Sequence, residues 1–164
     1  MTTLREPSIE DAGAVWQLVQ DSRVLDVNSR YAYVATLRHF GSTCVVATRD
    51  DELLGFVTAY RIPDRPHVLF VWQVAVAPDS RGQGLAGRML RWLVGRFSCQ
   101  GVRWIETTVT PSNTASRALF QRVAVELDAA CSIVSGFGPS LLGDGHEPEE
   151  LFRIGPFHPI RSEA

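Results

Sequence analysis

The stretch VLFVWQVAVAPDSRGQGLAGRMLRWLVGRF, residues 68–97, decides the fold. From Val68 to Val76 nearly every residue is apolar, and valine and aromatic side chains dominate, which is typical of a strand covered on both faces. Pro78 ends this strand. A helix follows the glycines, because an apolar residue recurs every four positions at Leu85, Met89, Leu93 and Phe97. The stretch therefore predicts a buried strand, a glycine-rich loop and a helix.

The loop between the two elements, Arg81-Gly82-Gln83-Gly84-Leu85-Ala86, has the composition of an anion-binding loop. Its glycines carry no side chains, so the first backbone N–H groups of the helix, which are unpaired within it, can face a bound anion. Arg81 adds a positive charge at the same point. A diphosphate cradle and a simple helix cap in a sharp turn both fit this composition, since two glycines alone are a weak signal.

Two other phosphate-binding loops are excluded. A Walker loop ends in Gly-Lys-Ser or Gly-Lys-Thr, and this chain contains no lysine. A dinucleotide-binding fingerprint requires an acidic residue about 20 positions after the glycines, at the end of the next strand. The nearest acid, Glu106, instead lies within the predicted next strand.

Composition limits the class of protein. A length of 164 residues suits one domain spanning 1–164, and the apolar content of 45% and charged content of 21% are ordinary for a globular protein. A net charge of −2 argues against a nucleic-acid partner. No secretory signal or membrane-length apolar run is present, so we expect a cytoplasmic protein without a membrane partner. No pair of cysteines or histidines has metal-ligand spacing, and we expect no metal.

The remaining elements predict an α/β (α+β) fold, with a mixed, mostly antiparallel twisted sheet of six or seven strands flanked by about four helices. Patterning and turn residues place strands at about 3–5, 44–48, 53–60, 102–110 and 127–135, with a further strand after His146. Helices are expected at about 9–20, 31–40, 85–97 and 114–124. Residues 62–66 and 136–145 are predicted loops.

Three polar features stand out as candidates for a site. Glu106 interrupts an apolar strand, where a carboxylate is costly to bury without a partner, so it either pairs with an arginine or handles a substrate. The segment from Asp21 to Tyr33 groups an acid with aromatics and predicts either a site loop or a capped turn. The acids near Glu149 indicate either a solvated face or the cation-binding end of a ligand site.

Two motifs resemble those of the Gcn5-related N-acetyltransferases. Arg81, Gly82, Gly84 and Ala86 match the acetyl-CoA loop Q/R-x-x-G-x-G/A, and the segment from Asn113 to Phe120 is similar to N-x-x-A-x-x-L-Y. The resemblance implies the fold of that family and acetyl-CoA as co-substrate. It implies contacts to acetyl-CoA from Val74, Ala75, Val76, Arg81, Gly82, Gln83, Gly84, Leu85, Ala86, Asn113, Ser116 and Phe120.

The chain departs from the family pattern at Phe120, where many members have a tyrosine that reprotonates the CoA thiolate. A phenylalanine cannot donate a proton. The thiolate therefore either leaves unassisted or receives a proton from another donor, such as Ser116 or water. Ala124 and Val125 likewise stand in place of the usual Gly-Phe after the helix.

Longer motifs resemble one branch of that family, the acetyltransferases that modify L-2,4-diaminobutyrate in ectoine synthesis. They are D-x-N-S-x-Y-x-Y, L-F-V-W-Q-V-A-V-x-P, E-T-T-V-T-P-S-N and H-E-x-E-E-L-F-R-I-G-P, spread over about residues 4–157. The resemblance implies transfer of acetyl to the N4 amine of a diamino acid, and a homodimer. It implies a substrate site formed by Asp26, Tyr31, Trp72, Thr108, Asn113 and an acid of the tail, for which Glu149 is preferred over Glu150.

The chemistry of the reaction demands a base. With a lysine-like pKa near 10.4, only about one amine in 10³ is neutral at pH 7, a cost of roughly 4–5 kcal/mol. We expect Glu106 to act through water, with Asp26 as the second choice, and the backbone N–H groups at Trp72 to polarise the acetyl carbonyl. Other small-molecule or protein acetyltransferases, and a catalytically silent acetyl-CoA-binding module, stay open on the sequence alone.

Overall fold

The computed structural model describes residues 1–158. Its strands are β1 (Thr3–Arg5), β2 (Val45–Arg49), β3 (Glu52–Ile62), β4 (Arg65–Val76), β5 (Trp104–Val109), β6 (Cys131–Phe137) and β7 (Glu149–Ile154). Its α-helices are α1 (Ala12–Ser22), α2 (Arg30–Phe40), α3 (Leu85–Val94), α4 (Thr114–Glu126) and α5 (Pro139–Leu142). None of these helices is both long and apolar enough to cross a membrane.

All seven described strands form one sheet in the order β1-β2-β3-β4-β5-β7-β6. Only β4 and β5 pair in parallel; the other neighbouring pairs are antiparallel. The parallel pair requires a crossover, which α3 provides. The predicted mixed, mostly antiparallel sheet is confirmed.

The sheet lies between two helical layers. On one face, Met89, Leu90 and Leu93 of α3 and Phe120 of α4 are fully buried in the larger hydrophobic core. On the other face, α1 and α2 form a second core over the β2–β4 part of the sheet, with Tyr33 completely buried. The amphipathic patterns of α1 and α3 predict this burial, because each of these helices has one apolar side.

The parallel pairing of β4 with β5 ends partway along β4. The paired residues run from Val68 and Trp104 to Val71 and Thr107, whereas β4 continues to Val76. The buried Thr107 hydroxyl donates to the Val71 carbonyl at 3.0 Å at the point where pairing stops. Beyond it, the β5 side of β4 has no ladder partner in the described chain, and two cavities open there.

A bulge in β4 lies at the same place. Gln73 pairs with Thr58 of β3, and the next pair joins Val71 to Ala59, so β4 has one extra residue at Trp72. A bulge of this kind interrupts strict alternation and turns side chains toward a site. Nothing in the apolar run of residues 68–76 indicates the bulge.

Several predicted boundaries were wrong. The helix α3 ends at Val94, and Phe97 is 89% exposed rather than part of the buried stripe. The expected loop at 62–66 is a tight hairpin, because Ile62 already pairs with Arg65. The expected strand at 127–135 begins only at Cys131, since α4 extends to Glu126, and the short helix α5 lies within the predicted loop at 136–145.

Candidate active site

The glycine-rich loop is shaped for an anion. Gly82 and Gly84 have φ angles of +73° and +69°, which non-glycine residues adopt only at a cost, and Gly84 is the N-cap of α3. Arg81 is anchored beside it, with its Nε donating to the Val76 carbonyl at 3.1 Å. The exposed start of α3 therefore presents backbone N–H groups and a guanidinium to solvent.

A cavity of about 670 Å³ extends from this loop along α3 and α4. It is lined by eleven of the twelve residues that the sequence analysis assigned to acetyl-CoA: Val74, Ala75, Val76, Arg81, Gly82, Gln83, Gly84, Leu85, Ala86, Asn113 and Ser116. Arg88 and Arg122 add further positive charge to its lining. We refer to it as the large cavity.

Phe120 is the exception, and the expectation that it contacts acetyl-CoA is corrected. Its side chain is 1% exposed and packs in the hydrophobic core beneath α4, so it does not line the large cavity. Asn113 lines both cavities and also caps α4, with its side-chain oxygen accepting from the Ser116 N–H at 3.1 Å.

A smaller cavity of about 220 Å³ adjoins the large one. Five of the predicted substrate residues line it: Asp26, Trp72, Thr108, Asn113 and Glu149. The two cavities share Val24, Leu25 and Asn113 in their walls. A thioester in the large cavity and an amine in the small cavity would therefore meet at the end of the β4–β5 pairing.

Glu149 is the most unusual group in the small cavity. Its Oε2 is buried and has no hydrogen-bond partner among the described residues. Burial raises the pKa of the Glu149 carboxyl, while Thr108 and His146 act in the opposite direction without cancelling it. A buried carboxylate oxygen without a partner is costly, so this position suits a ligand that donates a hydrogen bond.

Asp26 and His146 complete the polar wall of the small cavity. His146 Nε2 lies 3.1 Å from Asp26 Oδ2, and its Nδ1 lies 2.6 Å from the Glu147 carbonyl oxygen. The Glu147 carbonyl and the Asp26 carboxylate together raise the pKa of His146 and favour its charged form. Ligand atoms of Asp26, His146 and Glu149 lie within 4.8 Å of one another.

Glu106 does not have the predicted catalytic position. Its carboxylate accepts two hydrogen bonds from Arg65, at 2.8 and 3.0 Å, and one from Arg153 at 3.0 Å. Burial alone would raise the pKa of Glu106, but the two guanidinium groups outweigh it and lower that pKa. Glu106 lines neither cavity. Of the two interpretations of this residue, the ion pair is correct.

Two predicted substrate residues lie elsewhere. The Tyr31 side chain is 79% exposed near the start of α2 and lines neither cavity of this chain. Glu150 lies on the opposite face of β7 from Glu149 and forms an ion pair with Arg117 of α4. The strand alternation of β7 separates the two adjacent glutamates, and Glu149, the one preferred from the sequence, lines the small cavity.

Sequence reasoning missed four polar residues that line the small cavity: Asn28, Gln73, Thr110 and His146. Each lies inside one of the longer motifs, whose resemblance implies no role for its side chain. A signal was present for Gln73, because an amide within an apolar strand requires partners for both of its ends. His146 had no such signal, since it lies in a loop far along the chain from Asp26.

The comparisons with known proteins agree with this architecture. The model of the acetyltransferase (GNAT) family matches residues 12–124, and the chain belongs to that family. Its fold also resembles that of Ard1 from Thermoplasma volcanium, with a TM-score of 0.75 at 15% identity over 94% of this chain and 97% of that one.

Within the family, the chain is similar to L-2,4-diaminobutyric acid acetyltransferases. That of Halalkalibacterium halodurans is 47% identical over 158 residues, 96% of this chain and 83% of the relative. That of Methylotuvimicrobium alcaliphilum is 44% identical over 98% of this chain and 94% of its own length. The solved structure of diaminobutyrate acetyltransferase EctA from Paenibacillus lautus, in complex with its substrate L-2,4-diaminobutyric acid and coenzyme A, has a TM-score of 0.93 at 44% identity and 96% coverage of both chains.

Proposed function

We propose that this protein transfers the acetyl group of acetyl-CoA to the N4 amine of L-2,4-diaminobutyrate, giving the acetylated intermediate of ectoine synthesis. The observation that carries the proposal is the unpartnered, buried Oε2 of Glu149, a residue that lines the small polar cavity beside the large one. An ammonium or amine group would supply the missing donor. The relatives described above act on the same substrate. We place the enzyme in the cytoplasm, where acetyl-CoA is available.

The charges of the small cavity complement those of the substrate. Diaminobutyrate carries two amino groups and one carboxylate. The carboxylates of Asp26 and Glu149 complement the amino groups of the substrate. The charge of His146, the one basic side chain in the described lining of the cavity, complements the substrate carboxylate. Two acids within 4.8 Å of a histidine could also hold a cation. The adjoining anion-binding loop favours the substrate interpretation, because it provides the place for the second reactant.

Acetyl transfer would take place directly between the two cavities. The N4 nitrogen attacks the acetyl carbonyl carbon, the carbon–sulfur bond breaks, and CoA leaves as a thiolate. Backbone N–H groups of the unpaired edge of β4, between Trp72 and Val76, are available to stabilise the oxyanion that forms. This role for Trp72 involves its backbone and requires no titratable side chain.

We assign the proton acceptor to Glu149, with Asp26 holding the second ammonium group. The raised pKa of Glu149 brings its basicity closer to that of the amine, which lowers the cost of the proton transfer. The leaving thiolate needs little help, because a thiol has a pKa of about 8.5, far below that of an amine. A buried Phe120 is therefore compatible with turnover.

The experiment that tests the function measures thiol release from acetyl-CoA with diaminobutyrate, ornithine and lysine, and locates the new acetyl group by NMR. We expect a strong preference for diaminobutyrate, with acetyl on N4. Acetyl-CoA binding without turnover of any amine would indicate a silent binding module. A peptide amine that outcompetes diaminobutyrate would indicate a protein acetyltransferase.

We further propose that the enzyme is a homodimer, formed through the part of the sheet face that α1 and α2 do not contact. On this face, Trp104 and Leu151 are half-buried and Val134 is 47% exposed. Its basic side carries Arg65 and Arg153, whose side chains are 44% and 42% exposed. Its other side carries the acids of the small cavity, so a copy related by two-fold symmetry would bring opposite charges together.

The oligomeric state tests this second proposal. We expect sedimentation analysis to report a dimer for the wild-type protein and a monomer for Val134→Asp. Val125→Asp is the matched control, because Val125 is 79% exposed on α4, away from the proposed interface. A monomeric wild-type protein, or equal effects of the two substitutions, would contradict the proposed interface.

A further inference from the structure

Gln73 is a polar side chain in the middle of the most apolar strand of the protein. It is 5% exposed, and both ends of its amide have partners. Its Oε1 accepts a hydrogen bond from the Tyr33 hydroxyl at 3.0 Å, and its Nε2 donates to the backbone carbonyl of Asp26 at 2.9 Å. Strand β4, helix α2 and the connection between α1 and α2 therefore meet at one side chain.

The Gln73 amide has a rigid base. Tyr33 is completely buried, and its ring stacks on that of Trp72 with 5.8 Å between ring centroids. The Gln73 backbone carbonyl accepts from the Thr58 hydroxyl at 3.4 Å, beside the bulge at Trp72. Because the bulge and the Tyr33 hydroxyl fix both ends of the side chain, the direction of its N–H group is determined.

The segment that receives this hydrogen bond has few other restraints. It connects α1 to α2 and carries Asp26, whose side chain is 78% exposed. Two of its carbonyls are held, that of Asp26 by Gln73 and that of Asn28 by the Trp16 indole N–H at 3.1 Å. Its Val24 and Leu25 N–H groups donate to Ser22 Oγ at 3.4 and 3.3 Å. A weaker contact of 3.4 Å runs from the Asn28 side chain to the Asp26 carbonyl. Gln73 is thus the buried anchor nearest to the Asp26 carboxylate.

We infer that Gln73 is a positioning residue, which holds the Asp26 carboxylate opposite Glu149 across the small cavity. It acts through the backbone of Asp26 and does not take part in proton transfer. The inference rests on the proposed function for the role of Asp26 in binding the diamine. The bulge in β4 lies beside the backbone N–H groups proposed to bind the acetyl group. Through Gln73, the same bulge also fixes the position of Asp26 in the small cavity.

Kinetics of three variants test the inference. Gln73→Met keeps the volume of the side chain and removes both hydrogen bonds. We expect it to raise the KM for diaminobutyrate about tenfold, as for loss of one anchoring hydrogen bond, while the KM for acetyl-CoA changes less than about twofold. Tyr33→Phe keeps the bond from Gln73 to Asp26, and we expect a much smaller change in the KM for diaminobutyrate.

The double variant Tyr33→Phe/Gln73→Met separates positioning from stability. It removes the hydroxyl that Gln73→Met leaves buried without an acceptor, so thermal stability should recover relative to the single variant. The KM for diaminobutyrate should stay high, because Asp26 still lacks its anchor. The inference would be overturned if the double variant recovered the wild-type KM for diaminobutyrate together with stability. It would also be overturned if Gln73→Met raised the KM for diaminobutyrate and the KM for acetyl-CoA by the same factor.

Hydrogen exchange provides a readout that does not depend on the substrate. In the unliganded protein, backbone amides of residues 23–29 should exchange faster in Gln73→Met and in the double variant than in the wild type. Unchanged exchange there would overturn the inference even if diaminobutyrate is turned over. Faster exchange in a protein that does not use diaminobutyrate would retain the positioning of Asp26 and reject the proposed function alone.

Discussion

Glu149 and Glu150 are adjacent in β7 but serve opposite faces of the sheet. Glu149 lies in the small cavity with one carboxylate oxygen unpartnered, on the same face as Thr108. Glu150 pairs in register with Val109 and forms an ion pair with Arg117 on the face covered by α4. Two side chains of identical chemistry therefore provide a matched pair, one in the proposed site and one outside it.

Glu149→Gln should abolish most of the activity, whereas Glu150→Gln should not. Loss of the proposed base and ammonium ligand is expected to lower kcat/KM for diaminobutyrate by about 10²-fold or more. Glu150→Gln removes a partly exposed ion pair, which contributes about 0–1 kcal/mol to stability. Steady-state kinetics with both substrates varied checks the prediction. Equal effects of the two variants on kcat/KM would show that Glu149 has no role in binding or deprotonating the substrate.

Glu149→Gln should also stabilise the unliganded protein at neutral pH. The pKa of Glu149 is raised in the folded state, so folding is penalised above that raised pKa, where the buried group must be charged. The penalty disappears below the ordinary glutamate pKa of about 4.3, where the carboxyl is protonated in both states. Thermal unfolding midpoints should therefore favour the variant at about pH 7 and converge at about pH 4. A variant that is less stable at neutral pH would contradict this account.

The sequence predicted the residues of the glycine-rich loop and of the large cavity better than those of the small cavity, and the reason is physical. Gly82, Gly84 and Asn113 act through local backbone geometry, which neighbouring residues determine. The small cavity is assembled from segments as distant as Asp26 and His146. Its contacts depend on the β4 bulge and on the register of β7, which no local pattern in an apolar strand specifies.

Glu106 has its charged partners within the fold and not in the small cavity. A buried carboxylate does require a partner, but Arg65 and Arg153 reach it from neighbouring strands. Glu106→Gln should therefore lower the free energy of unfolding by about 1–3 kcal/mol. Turnover with diaminobutyrate should change by less than about threefold, because no reacting atom is touched. Chemical denaturation and kinetics on the same preparation check both statements, and a loss of kcat without a loss of stability would restore Glu106 as a catalytic residue.

Gly84→Ala tests the anion-binding loop. The φ angle of +69° makes alanine unfavourable by about 1–2 kcal/mol, and the added methyl group would stand at the N-terminus of α3, where the diphosphate is expected. Gly101→Ala is the control, since Gly101 has a φ of +85° and lines neither cavity. We expect similar destabilisation of both variants in thermal unfolding. Only Gly84→Ala should raise the KM for acetyl-CoA, by about tenfold. Equal KM values for acetyl-CoA in the two variants would show that the glycine-rich loop does not bind the cofactor.

His146→Gln tests whether the small cavity recognises the carboxylate of its substrate. Contacts to the Glu147 carbonyl and to Asp26 raise the pKa of His146, so its positive charge persists to a higher pH than that of a free histidine and is lost as the pH rises through that raised pKa. The proposed role is measured by the ratio of kcat/KM for diaminobutyrate to that for 1,3-diaminopropane, which lacks the carboxylate. We expect His146→Gln to lower this ratio about tenfold at about pH 6, below the ordinary histidine pKa of about 6.5, because the positive charge that attracts the carboxylate is lost. In the wild type, alkaline pH should lower the same ratio, because the imidazolium is neutralised, and the variant should lack that pH dependence. A ratio that is unchanged in His146→Gln would assign the carboxylate to another group, and would leave the two acids as the basis of amine recognition.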